Sequence, residues 1–398
     1  MNFDVMYSWV RDLPIVDWHN HLDMRMLAED KPLGSLYEVW VKSDPYKHRA
    51  MRICGEPERV ITGDASEDEK WAAWCRTLPK LVGNPLFAWS KMELEWLGID
   101  GAENVSLAAW TPSRMLERFG VEYISPCVGV DFDFVANRLE GAGGVKIVPS
   151  LRLNAGDEVP QETLGRFDSA GCRVVDVSVD DVKLLRSPRL ESIAAFAAFR
   201  GWTMLLHLGA LRETSARLRA AAGPAGGFAG MRAPVDPAAV AAFLDGLETH
   251  NTLPRTILLS LNPEAHASLA VLAGSFVEDG VSGKVQLGPA WWWCDHEEGI
   301  RDVLEKNAAY GVLSMFVGMT TDSRSILSLV RHDCFRRILC RWMAEKVASG
   351  SFPDDESLLR PLLENICYKN AHDMVCSHKE HKEHKEGLFT NGNQRKQR

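Results

Sequence analysis

Short apolar runs rich in β-branched residues alternate along the chain with longer segments whose apolar positions have helical spacing. The runs have the length of buried strands, and a helical segment follows most of them. Eight strands are predicted, at Ile15–His19, Val121–Ser125, Val145–Ser150, Arg173–Val179, Thr203–Leu208, Thr256–Leu261, Lys284–Leu287 and Val312–Phe316. Helices are predicted at Ser187–Arg200, Pro237–His250, Ala265–Phe276 and Glu297–Tyr310.

This alternation decides the expected fold class. Repeated βα units imply a parallel sheet, and eight of them favour a closed barrel over an open, doubly wound sheet. An open sheet would be expected to carry a glycine-rich loop after its first strand, whereas this first strand leads into histidines. We therefore expect an α/β protein with one (β/α)8 TIM-type barrel domain over residues 1–376.

Three stretches fall outside the βα pattern. Residues 22–115 are too long for one crossover, and we expect a helical insertion after strand 1 that packs over the barrel mouth. Its predicted helices are Leu36–Val41, Glu67–Cys75 and Val105–Phe119. The Gly- and Ala-rich run Ala220–Ala233 is expected to be a flexible loop. Residues 377–398, which include a His-Lys-Glu repeat, are expected to be a disordered polar tail.

Composition narrows the functional classes. The 398 residues carry a net charge of −9, the opposite of what a nucleic-acid-binding protein usually shows. No apolar run is long enough for a membrane span, and no signal peptide is apparent. Nine cysteines without paired spacing fit a reducing compartment, so a cytoplasmic protein is expected. The oligomeric state stays open, a homo-oligomer included.

The sharpest chemical signal lies at the end of the first predicted strand. His19 and His21 are two residues apart, so their side chains share one face, at the barrel end where active sites form. Neutral imidazoles suit a metal such as zinc. Asp322 and Arg324 follow the last predicted strand, which neighbours the first in a closed barrel. Asp322 could complete the metal site or act as a base, and Arg324 could bind a carboxylate. The alternative is a helix cap beside a surface arginine.

Further candidates lie at the same predicted mouth. His207 ends the fifth strand, and Arg152 follows the third. Tyr46, from the insertion, could act as an acid or base. Trp291 begins a run of three tryptophans of the kind on which sugars stack. Each of these residues also has an ordinary structural explanation, either core packing or surface exposure.

Several blocks of sequence resemble the uronate (glucuronate) isomerase family of the amidohydrolase superfamily. They are Val16–Leu22, Tyr46–Arg52, Ile61–Gly63, Gly83–Leu86, His207–Arg212, Ser260–Pro263 and Phe316–Ser325, with Arg331–His332 and Phe335–Cys340 after them. The resemblance covers nearly the whole chain up to about residue 376.

This resemblance implies an aldose–ketose isomerase acting on a hexuronate, such as glucuronate to fructuronate or galacturonate to tagaturonate. The expected metal ligands are His19, His21 and Asp322, which would hold one divalent ion, with zinc favoured over manganese, cobalt or iron. The expected catalytic residues are Asp322, Tyr46 and His207. The expected substrate-binding residues are Arg152, Arg324, Arg49 and Trp291.

The chain departs from the family pattern around the mouth. The positions of departure include Ser125–Asp131, Asp176–Ser178, Arg212–Ser215 and Trp293–Asp295. These changes leave alternatives open: a metal-dependent hydrolase of the same superfamily, an isomerase of a different sugar acid, or a non-catalytic relative that binds a sugar acid.

Overall fold

The computed structural model describes residues 1–133 and 144–376 of the chain. Its strands are β1 Ile15–Asn20, β2 Val121–Val128, β3 Lys146–Ile147, β4 Ser150–Asn154, β5 Val174–Val179, β6 Thr203–Leu208, β7 Ala210–Leu211, β8 Gly230–Met231, β9 Arg255–Ser260 and β10 Val285–Leu287. Its α-helices are α1 Phe3–Val10, α2 Met24–Glu29, α3 Leu36–Trp40, α4 Pro45–Ile53, α5 Glu67–Thr77, α6 Pro85–Leu97, α7 Pro112–Arg118, α8 Gln161–Ser169, α9 Pro188–Arg200, α10 Ala216–Ala222, α11 Pro237–Thr249, α12 His266–Ala273, α13 Glu297–Tyr310, α14 Val330–Ala348, α15 Glu356–Glu364 and α16 Asn370–Cys376.

One parallel sheet forms the centre of the molecule. Its strands follow the order β1-β2-β4-β5-β6-β9-β10, and the short β3 pairs with β2. Every residue of β5 and β6 is buried, as expected where both faces of a parallel sheet are covered. This curled sheet with its helices is a TIM-type (β/α)8 barrel, so the predicted fold class is confirmed.

The eighth predicted strand, Val312–Phe316, is wrong. Leu313–Met315 forms a single 3-10 turn, and an irregular segment, residues 316–323, follows it. Gly318 and Asp322 in this segment have positive φ angles of 76° and 47°. Those angles lie outside the extended region, so a regular hydrogen-bonded ladder cannot run through them. We call residues 316–323 the closing segment.

The closing segment lies between the last and first strands of the sheet. On one side, the backbone N–H of Val317 donates to the side chain of Gln286 on β10 at 2.9 Å. On the other side, the N–H of Asp322 donates to the carbonyl of His19 at 3.2 Å. The N–H of His21 donates to the carbonyl of Ser323 at 2.8 Å. Individual hydrogen bonds therefore take the place of an eighth strand.

Helices α2 to α7 all lie between β1 and β2. Their own core contains large buried side chains, among them Leu36, Trp40, Trp74, Met115 and Leu116. Ile326 and Leu327, just after the closing segment, belong to the same core. The insertion is therefore packed against the part of the barrel that carries Asp322.

Two of the predicted boundaries need correction. The predicted helix Val105–Phe119 is wrong in its first half, because Thr111 caps the helix and Pro112 occupies its first turn, so α7 begins there. The expected flexible loop Ala220–Ala233 is also wrong in part. It begins inside α10 and contains β8, which pairs antiparallel with β7. The predicted disordered tail, 377–398, lies outside the described residues.

Within the described ranges, none of the helices is both long and apolar enough to cross a membrane.

Candidate active site

At the C-terminal end of β1 the structure brings together His19, His21 and Asp322. The two imidazole rings lie 5.3 Å apart between centroids. Asp322 Oδ1 is 3.1 Å from Nε2 of His19 and 3.1 Å from Nε2 of His21. Ligand atoms of a four-coordinate zinc ion with bonds of about 2.1 Å lie roughly 3.3 Å apart. The spacing of these donor atoms therefore fits a metal ion.

The electrostatic surroundings of these three side chains favour the binding of a cation. Burial raises the pKa of Asp322, but the hydrogen bonds with His19 and His21 outweigh it and hold that pKa far below its usual range. Burial lowers the pKa of His21 and favours the neutral ring that ligates metals. For His19, the charges of Cys127 and Asp176 outweigh burial and raise its pKa. Asp322 Oδ2 is buried and has no hydrogen-bond partner among the described residues.

Asp17, a residue that the sequence analysis missed, fixes the closing segment. Its Oδ1 accepts hydrogen bonds from the Thr320 hydroxyl and the Thr321 N–H, both at 2.7 Å. Its Oδ2 accepts a bond from the Thr321 hydroxyl at 2.6 Å, and His332 Nε2 lies 3.3 Å from Oδ1. Burial raises the pKa of Asp17, but the bonds with His332 and Thr321 outweigh it and lower that pKa. An ionised Asp17 thus holds the backbone that presents Asp322.

Asp176 on β5 is a second residue that the sequence analysis missed as a site residue. It is buried, and its Oδ1 lies 2.7 Å from Arg152 Nη1 and 2.6 Å from His207 Nδ1. Its Oδ2 accepts a hydrogen bond from the Cys127 thiol, with Sγ at 3.5 Å, and lies 4.0 Å from His19 Nδ1. Burial raises the pKa of Asp176, but the charge of Arg152 and the hydrogen bond with His207 outweigh it and lower that pKa strongly. The sequence does give one indication of this role, because Asp176 is the single carboxylate inside a largely apolar strand.

Cys127 adds a thiol to this group. Its Sγ lies 3.1 Å from His19 Nδ1 and 3.2 Å from the hydroxyl of Ser150. His19, His21, Cys127 and Asp176 can each offer a donor atom within 4.8 Å of the others. This buried group of His, Cys and Asp side chains could bind a metal.

A pocket of about 230 Å³ opens beside the two histidines. His207 lines it, and the ring of Trp291 meets the His207 ring edge-on at 4.4 Å between centroids. Burial lowers the pKa of His207 to about 4, so its imidazole is neutral at pH 7. With its Nδ1–H donated to ionised Asp176, its Nε2 becomes a hydrogen-bond acceptor.

Three arginines line the same pocket. Arg152 is held by Asp176 and by the hydroxyl of Ser178. Arg212 also donates to Ser178 and lies over the ring of Trp292 at 4.9 Å. Arg324 is exposed at the rim of the pocket. Arg212 was not among the predicted substrate-binding residues, although it follows the strand that ends in His207.

The insertion contributes Tyr46 to the pocket and places Arg49 against the pocket wall. The Tyr46 hydroxyl is buried without a hydrogen-bond partner among the described residues, and its ring meets that of Trp293 at 5.3 Å. Burial raises the pKa of Tyr46 well above its ordinary value. Arg49 donates to the carbonyl of Ala229 at 3.2 Å and stacks on Trp293 at 4.6 Å. Both of these contacts are with residues that line the pocket, so Arg49 lies behind the pocket wall and its contact with substrate stays a prediction.

The sequence matches one protein family over most of its length. The family model described as glucuronate isomerase matches residues 1–108 and 154–375. A uronate isomerase of Caldicellulosiruptor bescii is 34% identical, and the match covers 93% of this chain and 96% of that protein. A uronate isomerase of Halalkalibacterium halodurans is 33% identical and covers 93% of this chain and 94% of its own length.

Solved structures agree on the fold. The crystal structure of a uronate isomerase from Thermotoga maritima has a TM-score of 0.81 at 24% identity, covering 94% of this chain and 97% of that one. The crystal structure of a glucuronate isomerase from Caulobacter crescentus has a TM-score of 0.81 at 20% identity, covering 95% of this chain and 94% of that one. At this identity the likeness establishes the shared architecture.

Proposed function

The chain belongs to the glucuronate isomerase family, and from this membership and the pocket we infer an enzyme that interconverts the aldose and ketose forms of a hexuronate. Glucuronate to fructuronate and galacturonate to tagaturonate are the two conversions that we propose. The observation that carries the assignment is the meeting of His19, His21 and Asp322 beside a pocket lined by arginines. The relatives cited above are named isomerases, which favours this reaction over the hydrolysis considered as an alternative.

His19, His21 and Asp322 would hold one divalent ion, and we propose zinc. Two imidazole nitrogens and a carboxylate oxygen are ordinary zinc ligands, and three protein ligands leave a position open for substrate. The buried Asp322 Oδ2 without a partner supports this proposal. When bound, such an ion supplies the positive charge that stabilises the oxygen of an enediolate.

The arginines would bind the substrate carboxylate. Guanidinium groups pair bidentately with carboxylates, and this pairing fixes the direction in which a sugar acid lies. Asp176 and Ser178 hold Arg152, and Ser178 also accepts from Arg212, so both cations are oriented before substrate arrives. Trp291 would cover one face of the sugar beside His207.

The isomerisation moves one hydrogen from C2 to C1 and a second from O2 to O1. We assign the transfer of the carbon-bound proton to Asp322, which would remove this proton from C2 and return it to C1. Tyr46 stays protonated because burial raises its pKa, so its hydroxyl can donate to a sugar oxygen. His207 Nε2, kept as an acceptor by Asp176, would receive the proton of the O2 hydroxyl and pass it to O1.

The test is an isomerisation assay on glucuronate and galacturonate with zinc, manganese, cobalt or iron. We expect ketose formation by the wild type and a loss of at least about 100-fold in kcat for Asp322→Asn, the scale of one acid–base group. Asp23→Asn is the matched control, because Asp23 only caps α2. Absence of ketose with every metal, or a fully active Asp322→Asn variant, would contradict the proposal.

We also propose a reducing, cytoplasmic setting for the enzyme. All nine cysteines are free thiols in the structure. Several of them are buried where oxidation would disturb packing, among them Cys172, Cys294 and Cys340.

A further inference from the structure

A second group of metal-ligating side chains lies far from the pocket. Glu122 is the second residue of β2, whereas Cys127 near the other end of that strand contacts His19. Five residues of extended strand span about 16 Å. Glu122 therefore lies toward the opposite end of the barrel, where α16 packs. His372 and Cys376 of α16 face it.

The three side chains are already close enough to share one ion. The donor atoms of Glu122, His372 and Cys376 all lie within 4.8 Å of one another, and His372 Nε2 is 3.3 Å from Glu122 Oε1. His372 and Cys376 are four residues apart on a helix, so they lie on the same face. Small side-chain rotations would bring the donor atoms to the separations of a bound ion.

The surroundings hold the carboxylate and the helix in place. The hydroxyl of Tyr368 donates to Glu122 Oε2 at 2.8 Å and leaves Oε1 facing His372. Ala371, Met374 and Val375 of α16 are buried in the core of the barrel. The apolar face of the helix thus packs inward and fixes the face that carries the imidazole and the thiol.

The donor set matches the preference of zinc and similar ions. An imidazole nitrogen, a thiolate sulfur and a carboxylate oxygen are all zinc ligands, and water can take the fourth position. We propose that Glu122, His372 and Cys376 form a second divalent metal site, which joins the last described helix to β2. The site is independent of the isomerase chemistry, since none of its residues touches the pocket.

Binding follows a balanced proton exchange. Burial raises the pKa of the Cys376 thiol, while the charge of Lys146 lowers it, so the sulfur is protonated at pH 7. Formation of the metal–sulfur bond breaks the S–H bond and releases one proton to the buffer. His372 would bind through a ring nitrogen and Glu122 through a carboxylate oxygen.

The proposed site would also support the closing segment. The side chain of Asn370, at the start of α16, donates to the carbonyls of Ser314 and Phe316, both at 2.8 Å. An ion that joins α16 to β2 would therefore limit movement of the chain just before the closing segment. We expect a gain in thermal stability and little change in turnover.

The experiment is a cobalt titration of the full chain after removal of metals with a chelator. Co²⁺ bound to a thiolate gives a sulfur-to-metal charge-transfer absorption, whereas sites with only nitrogen and oxygen ligands do not. The histidines of the tail, His378, His381 and His384, carry no sulfur and cannot produce this band. Because Cys127 is also among the side chains that could bind a metal, the titration is made in the Cys127→Ser variant as well as in the wild type. We expect the band in both proteins and its loss from Cys127→Ser when Cys376→Ser is added.

Controls separate this site from the other cysteines. Cys127→Ser removes the thiol beside His19, and Cys75→Ser removes a thiol of the insertion, and both variants should keep the band. His372→Gln keeps the sulfur and should weaken cobalt binding at least tenfold. Cys376→Ser should retain isomerase activity within about twofold and gain less in Tm from zinc than the wild type.

Two outcomes overturn the proposal. One is a wild-type protein without the charge-transfer band at a saturating cobalt concentration. The other is a band that persists unchanged when Cys376→Ser or His372→Gln is made in the Cys127→Ser background. If Cys376→Ser fails to fold, His372→Gln alone decides, since the His372 side chain is about one-third exposed and is not one of the buried core residues of α16.

Discussion

At the scale of single residues, Asp176 holds two groups to which we assign substrate and proton handling. Its Oδ1 bonds Arg152 and His207, and its Oδ2 faces Cys127. Removal of its charge would leave Arg152 without its carboxylate partner and His207 without the group that selects its tautomer. The carboxylate therefore acts through its neighbours as a positioning residue.

For Asp176→Asn we expect a fall in kcat of about 10- to 100-fold, the usual effect of replacing a group that orients an active-site residue. The measurement is steady-state kinetics on a hexuronate. Asp181→Asn is the matched control, because Asp181 lies just beyond the same strand and its side chain only caps a 3-10 turn. A kcat for Asp176→Asn equal to that of the control would refute the positioning role.

The sequence predicted some of these residues and missed others for a physical reason. His19 and His21 follow from strand alternation, and Asp322 follows from the closure that places the last strand beside the first. Asp176 works through partners on other strands, and Asp17 works through the closing segment and His332 of α14, up to 315 residues away in the chain. Local spacing does not encode such partners, although a carboxylate in an apolar strand indicates that one exists.

At the scale of elements, the closing segment explains where the predicted fold fails. The strand Thr203–Leu208 was predicted at its observed bounds, because it is a continuous apolar run buried on both faces. Val312–Phe316 has a similar composition but forms a turn. Two residues after this stretch, Gly318 packs so closely on Ile366 that a Cβ there would lie 2.1 Å from the carbonyl oxygen of Ile366. The spacing of apolar residues along a sequence does not predict such a close approach of two backbones.

Gly318→Ala should therefore destabilise the fold and displace Asp322. Gly120→Ala is the matched control, because Gly120 also has a positive φ angle, of 68°, but a Cβ there meets nothing within 4 Å. We expect the control to lose about 1 kcal/mol of unfolding free energy and Gly318→Ala to lose more. Denaturant unfolding and metal content measure the two effects. Equal losses in the two variants would mean that the contact with Ile366 is unimportant.

A second prediction concerns the contact between α1 and α14. Tyr7 donates its hydroxyl to Asp333, and burial together with that bond raises the pKa of Tyr7 from 10.0 to about 12. Because the folded pKa lies above the unfolded one, this contribution to stability is complete below pH 10. It is lost as the pH rises from about 10 to about 12.

We expect the unfolding free energy of the wild type to fall by about 1 kcal/mol more than that of Tyr7→Phe over this pH interval. The figure allows for solvent screening of a half-exposed pair. Urea unfolding at several pH values gives the comparison, with Tyr310→Phe, which lies at an exposed position, as the control. Parallel losses in the wild type and Tyr7→Phe would contradict the assignment.

At the scale of the whole molecule, the insertion and the barrel share a core. Leu327 follows the closing segment, yet it is fully buried in the core formed by Trp40, Trp74 and the other apolar side chains of the insertion. Glu93 on α6 adds a polar link, since it accepts from Trp40 Nε1 and from the hydroxyl of Ser328. The two parts are therefore expected to unfold together.

Leu327→Ala should cost about 2–5 kcal/mol, the usual range for a cavity left by a buried leucine. It should lower the midpoints of tryptophan fluorescence and far-ultraviolet circular dichroism by the same amount. Leu358→Ala, at a position that is 57% exposed, should change both midpoints little. Separate transitions for the two signals would show that the insertion is an independent unit.

The hydrogen bonds of Asp17 also determine when, during synthesis of the chain, the proposed active site can form. The carboxylate leaves the ribosome early, whereas Thr320, Thr321 and His332, its partners, are more than 300 residues later in the chain. A nascent polypeptide that stops before these partners contains His19 and His21 but lacks Asp322, the third proposed metal ligand. The proposed catalytic site can therefore be complete only after residues 320–332 have been synthesised.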